Sequence, residues 1–151
     1  MKIRKAKKED IKKINEIYEQ GLFQEYSFQY PKNKTKIQMD VEYDSKFHKR
    51  MIKKNLKDKK QYWIVIEIDE KIMGVGSAYI KRDKGIIESV YISKSFQRKG
   101  YGQKIIKELI RWVRLKKAKR IESNFLVKNN SSIKLHEKLG FKPYVLKVRL
   151  K

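Results

Sequence analysis

The stretch Val90-Tyr91-Ile92-Ser93-Lys94-Ser95-Phe96-Gln97-Arg98-Lys99-Gly100-Tyr101-Gly102 decides how this chain folds. An apolar, β-branched segment stops at a short polar loop, and two glycines one residue apart then open a long helix. Ile105, Ile106, Leu109, Ile110, Trp112 and Val113 fall on one stripe at helical spacing, with Lys104, Lys107, Glu108, Arg111 and Arg114 opposite. A strand–loop–helix of this kind gathers unpaired N–H groups of the first helical turn and the positive end of the helix dipole at one place. Arg98 and Lys99 add two cationic side chains there. An anion, most often a phosphate, is what such a place holds. The same residues also suit an ordinary strand-to-helix turn with both cations solvated.

Two phosphate loops are excluded by residue type. The nucleotide P-loop ends in Gly-Lys-Ser/Thr, and here Gly102 is followed by Gln103. The dinucleotide fingerprint needs three glycines at fixed spacing; the runs beginning at Gly74 and at Gly100 both fail at the last position. What remains, Gln97 to Gly102, has the form Gln/Arg-x-x-Gly-x-Gly/Ala.

That form resembles the acetyl-CoA pyrophosphate loop of the GNAT superfamily of N-acetyltransferases. Downstream, Asn129-Asn130-Ser131-Ser132-Ile133-Lys134-Leu135-His136-Glu137-Lys138-Leu139-Gly140-Phe141 looks like the family's second signature, Asn-x-x-Ala-x-x-Leu-Tyr-x-x-x-Gly-Phe. The opening, Ile3 to Ile14, is similar to the first strand and helix of many members. The resemblance covers nearly the whole chain, with both motifs in order. It implies acetyl-CoA as cosubstrate and speaks little about the acceptor.

Composition bounds the rest. The 151 residues suit one domain, 1–151, large enough for a real core. No apolar stretch is long enough to cross a bilayer, and the charged N-terminus lacks a signal-peptide core, so a cytoplasmic protein without a membrane partner is expected. With no cysteine, and only His48 and His136 for imidazole, no metal is expected. Forty Lys and Arg against seventeen Asp and Glu leave a net charge of +23. That charge reads either as a surface for a polyanion such as RNA or as a dispersed lysine bias. Non-specific affinity for nucleic acid follows from both.

Along the chain, residues 2–6 read as a strand and 9–20 as a helix that Gly21 stops. Residues 22–60 are less regular, interrupted at Pro31 and helical again from Phe47 to Leu56; their aromatics Phe23, Tyr26, Phe28 and Tyr30 read as the floor of a pocket or as core packing. Residues 61–68, 72–80 and 86–92 read as strands joined by tight turns. After the long helix come a strand over 120–127, a short helix over 131–139 closed by Gly140, and a last strand over 142–150. The fold class is α/β (α+β): a mixed, mostly antiparallel sheet flanked by about four helices. The resemblance implies that two central strands splay to admit the pantetheine arm.

The resemblance also implies roles. Backbone groups around Val90, Tyr91 and Ile92 would meet the pantetheine and the thioester carbonyl. Gln97, Arg98, Lys99, Gly100, Tyr101 and Gly102 would hold the diphosphate, and Asn129 would approach the cosubstrate. Glu88 is the one acid in an otherwise apolar strand, and a carboxylate in apolar surroundings has its pKa raised toward the range of a general base. By alternation it shares a face with Val90 and Ile92 unless a bulge intervenes. A solvated charge on an open sheet face is the alternative.

His136 stands where many members place the tyrosine that protonates the CoA thiolate; it reads as that acid or as a packed histidine, with Tyr91, Tyr101 and Tyr144 as other donors. Asn124 replaces the glutamate of the ribosomal-protein N-terminal acetyltransferases, against that subgroup. The segment Asp40 to Asp44 offers acidity for a polyamine or a solvated helix entrance. The acceptor is therefore expected to be a primary amine of a small molecule or protein. The alternative is a catalytically weak acyl-CoA-binding module, or a nucleic-acid- or ribosome-associated regulatory module, that keeps the fold, and dimers are common among relatives.

Overall fold

Five strands make one sheet in the order β1-β2-β3-β4-β5: Lys2–Lys5, Gln61–Ile68, Lys71–Lys81, Lys84–Ile92 and Arg120–Ser123. Neighbours are antiparallel except β4 and β5, which run parallel. Five helices accompany them among the described residues: α1 Ile11–Gln29, α2 Lys34–Tyr43, α3 Ser45–Asn55, α4 Tyr101–Leu115 and α5 Asn130–Lys138. The computed structural model describes residues 1–30 and 32–150, apart from the side chains of Ile37, Glu42 and Tyr43. The expected break at Pro31 lies outside the described residues.

Each face of the sheet buries its own core. On one, the α4 stripe of Ile105, Ile106, Leu109, Trp112 and Val113 packs on Ile64, Ile66, Ala78 and Ile87. On the other, Ile14 and Ile17 of α1 and Ile52 of α3 cover Trp63, Val65 and Val75. Period-2 alternation in β2 and β3 sends successive side chains to opposite cores, so these strands read as continuous apolar runs. At the entrance to α1, Arg4 binds Asp10 through both guanidinium Nη atoms (2.7 and 3.0 Å) and Glu67 through Nε (2.8 Å), which sews the first turn to β1 and β2. The Arg4 hydrogen bonds hold the Asp10 carboxyl below the usual carboxylate range.

Three boundaries differ from expectation. Gly21 does not stop α1, which continues to Gln29. A Cβ at Gly21 would lie 2.1 Å from Cδ1 of Tyr91, so this glycine serves close packing rather than termination. Strand β5 ends at Ser123 rather than 127. Residues 141–150 carry no strand, and Leu146, Val148 and Leu150 are 77, 86 and 98% exposed. Their apolar alternation needs a paired neighbour and a face to cover, and the short β5 supplies neither.

Candidate functional site

The β4–β5 ladder pairs Lys84↔Arg120 through Ile87↔Ser123 and stops, while β4 continues to Ile92. From residue 88 onward that edge of β4 has no strand beside it. The ladder ends because β5 itself ends at Ser123, and a cleft of about 410 Å³ opens along the uncovered edge of β4. It brings together the expected Val90, Tyr91, Ile92, Gln97, Arg98, Gly100, Tyr101, Gly102, Asn129 and His136. Lys99 and Glu88 are not among its lining residues.

The loop is built by local backbone preference. A 3-10 turn over Lys94–Phe96 leads to extended Gln97, and Arg98 (φ 65°) and Gly100 (φ 82°) then adopt left-handed conformations. Glycine takes that conformation without steric cost, and Gly100 is the residue that caps α4. No side chain caps this helix, so the N–H groups of its first turn remain available at the cleft. Gln97 Nε2 donates to the Ile92 carbonyl (2.9 Å), tying the loop to the end of β4. Arg98 Nη1 donates to Ser131 Oγ (2.8 Å), linking the loop to the start of α5. The Lys99 ammonium lies over the Phe96 ring at 5.0 Å. Positive helix end, guanidinium and free amides therefore meet on one side of the cleft, a fit for a diphosphate.

The α5 wall is fixed by its own polar bonds. Asn129 caps that helix, its Oδ1 accepting from the Ser132 amide (3.2 Å), which leaves the amide nitrogen free to donate. His136 is buried, with Nδ1 2.7 Å from the Ser132 carbonyl and Nε2 2.8 Å from Ser123 Oγ. A carbonyl only accepts, so Nδ1 carries the proton and Nε2 accepts from the serine hydroxyl. Burial pushes this imidazole below its ordinary pKa, favouring the neutral ring.

Glu88 occupies a bulge. Ser77 pairs with Ser89 and Ala78 with Ile87, so Glu88 is the extra residue between them. Its face therefore changes: Val90 and Ile92 pack toward α4, whereas Glu88 acts electrostatically on Tyr18, Tyr79 and Tyr91. The residue is exposed to water, yet enough protein surrounds the carboxyl for desolvation to raise its pKa. Both properties suit a base that must meet a solvent-borne acceptor.

Of the wall supplied by the second half of α1, sequence reading offered only Phe28, as a pocket floor or a core residue, and missed the rest. Gly21, Gln24, Glu25 and Phe28 all line the cleft. Their i, i+3, i+4, i+7 spacing is one helical face, hidden by reading Gly21 as a stop. Tyr91 donates to Glu25 at 3.0 Å, and burial raises the pKa of this carboxyl as well. Burial, with Glu88 and Glu25 adding to it, pushes the Tyr18 phenol up to about 12. Of the other early aromatics, Tyr26 and Tyr30 are exposed. In the acidic segment Asp40 is exposed and Asp44 sits at the start of α3, while the Glu42 and Tyr43 side chains lie outside the described residues.

A mixed five-stranded sheet with a cleft beside the open edge of β4, faced by the uncapped start of α4, defines the class of fold. The chain belongs to the Acetyltransferase (GNAT) family, whose profile matches residues 19–141. Among solved structures it is similar to the PaiA N-acetyltransferase from Thermoplasma acidophilum in complex with coenzyme A, at 16% identity and a TM-score of 0.81, covering 93% of this chain and 89% of that one. It is also similar to AAC(6')-Iy in complex with the bisubstrate analogue CoA-S-monomethyl-acetylneamine (19%, 0.76, 99% and 97%). A third is a transcriptional regulator from Bacillus halodurans C-125 (18%, 0.71, 99% and 98%). No curated protein matches by sequence. Among the described residues no helix is long and apolar enough to cross a membrane, and no group of three or more His, Asp or Glu is placed to hold a metal.

Proposed function

We propose that this protein is an acetyl-CoA-dependent N-acetyltransferase that passes the acetyl group directly to a primary amine. The observation that carries the reading is the uncapped start of α4, with Arg98 beside it, in one cleft with the open edge of β4. Acetyl-CoA supplies an activated acetyl thioester when bound. The amides of Tyr101, Gly102 and Gln103, with Arg98, hold its diphosphate, and Asn129 donates from the opposite wall. Main-chain groups of Val90, Tyr91 and Ile92 align the pantetheine and polarise the thioester carbonyl.

Glu88 takes a proton from the acceptor ammonium, which frees the nitrogen lone pair. The new C–N bond then forms as the C–S bond breaks, the sulfur leaves with the bonding pair, and the second proton of the nitrogen passes to that thiolate or to water. Thiols ionise near pH 8.5, so the leaving group needs no dedicated acid. His136, whose one proton is given to Ser132, serves to pack α5 against the end of β5. Transfer is direct because the chain has no cysteine to carry an acyl group. The test is thiol release from acetyl-CoA with a panel of diamines, aminoglycosides and peptides. Amine-dependent release supports the reading; coenzyme A binding without turnover on any amine refutes it and favours a regulatory module.

A further inference from the structure

Helix α3 turns His48 and Ile52 inward and leaves its outer side almost wholly cationic. Lys46, Lys49, Arg50, Lys53 and Lys54 lie on it, Lys57, Lys59 and Lys60 follow, and Asp58 is the single acid in residues 45–60. All eight cations are exposed, and none of them enters an ion pair among the described residues. Elsewhere the chain does pair its cations with acids, as Lys84 does with Glu122 and Arg111 with Glu108. Arg50, Lys53, Lys54 and Lys57 together line an open depression of about 360 Å³. Arg50, the adjacent pair Lys53 and Lys54, and Lys57 follow one another at three- to four-residue steps, about one helical turn or roughly 5 Å along the axis each.

One uncharged residue stands in this stripe. Phe47 is 59% exposed and precedes Arg50 and Lys54 by three and seven residues, so its ring lies on their side of the helix. An uncovered aromatic ring at the head of a row of cations matches a polymer that carries flat bases beside its phosphates. An acidic protein surface would leave the ring unused. We propose that the outer face of α3 binds single-stranded nucleic acid, with Arg50, Lys53, Lys54 and Lys57 on successive phosphates and Phe47 under a base. This surface is separate from the cleft and does not rest on the transferase reading.

The experiment is fluorescence anisotropy of a labelled oligouridylate with the whole protein across a salt series. Four phosphate contacts contribute about −2.8 to the slope of log K against log salt, or about 50-fold in affinity between 50 and 200 mM. Replacing Arg50, Lys53, Lys54 and Lys57 by Gln is expected to remove that increment. The equally discharged control, with Gln at Lys107, Arg114, Lys116 and Lys119, keeps it. Phe47→Ala is expected to weaken binding by about 5- to 160-fold without changing the slope. Should the quadruple variant lose its helical circular dichroism, the pairs Arg50/Lys53 and Lys54/Lys57 are each expected to remove half the increment. Equal loss in the control set means diffuse charge and overturns the proposal. So does displacement of the oligonucleotide by polyglutamate at equal charge concentration, which would assign the face to an acidic protein.

Discussion

Replacing Gly21 by alanine tests whether the packing of α1 on Tyr91 shapes the cleft. In an unobstructed helix interior, Gly→Ala stabilises by about 1 kcal/mol. Here the new Cβ would lie 2.1, 2.3 and 2.6 Å from three atoms of the Tyr91 ring, whereas non-bonded carbons settle at about 3.5–4.0 Å. The ring cannot simply step aside, because Tyr18 packs edge-on against it at 5.5 Å and its hydroxyl is bonded to Glu25. Overpacking of this kind costs about 1–3 kcal/mol, and an overlap this deep against a held ring belongs in the upper half of that range. The net expectation is a loss of about 1–2 kcal/mol in urea unfolding, or roughly 2–8 °C in Tm. In a Tyr91→Ala background the clash is gone, and Gly21→Ala is expected to stabilise by up to about 1 kcal/mol. A stabilising Gly21→Ala in the wild-type background would refute the packing argument.

Other outcomes follow from the same geometry. Glu88→Gln is expected to lower kcat by about 10²- to 10⁴-fold with coenzyme A affinity unchanged. Because a base works ionised and burial raises this carboxyl, activity falls as pH drops through a limb lying above the ordinary glutamate value of 4.5, and the variant loses that limb. Arg98→Ala is expected to raise the Kd for coenzyme A by about 10- to 100-fold, the worth of a hydrogen bond to a charged group. Lys99→Ala, whose ammonium lies over Phe96, should change it little in calorimetry. The Asp10 carboxyl is held below its ordinary value, so its stabilising contribution is present above pH 3.8 and disappears as pH falls through the depressed folded value. Arg4→Met should flatten that acid limb in pH-dependent urea unfolding.

The long helix and its loop were legible because local rules agree there: an apolar stripe at helical period, a glycine where φ is positive, and no capping side chain. The antiparallel core strands were legible for the same reason, since alternation and tight turns are local. What was hidden depends on distant partners. Gly21 reads as a stop until Tyr91, seventy residues later, is seen against it. Residues 142–150 have strand alternation, but pairing is a property of two segments, and among the described residues no strand pairs with them. The face taken by Glu88 turned on a bulge that one strand's pattern does not reveal. At the site, the loop and Asn129 came from contiguous motifs. Glu25 belongs to no motif and entered only through the course of α1.

The proposed grip of α4 on a diphosphate is tested most directly by calorimetric titration of the purified protein with coenzyme A and, in parallel, with pantetheine, which lacks the nucleotide. Saturable heat with coenzyme A and at least tenfold weaker binding of pantetheine are the expected results. Silence with coenzyme A, or equal affinity for both, would contradict the assignment of this loop.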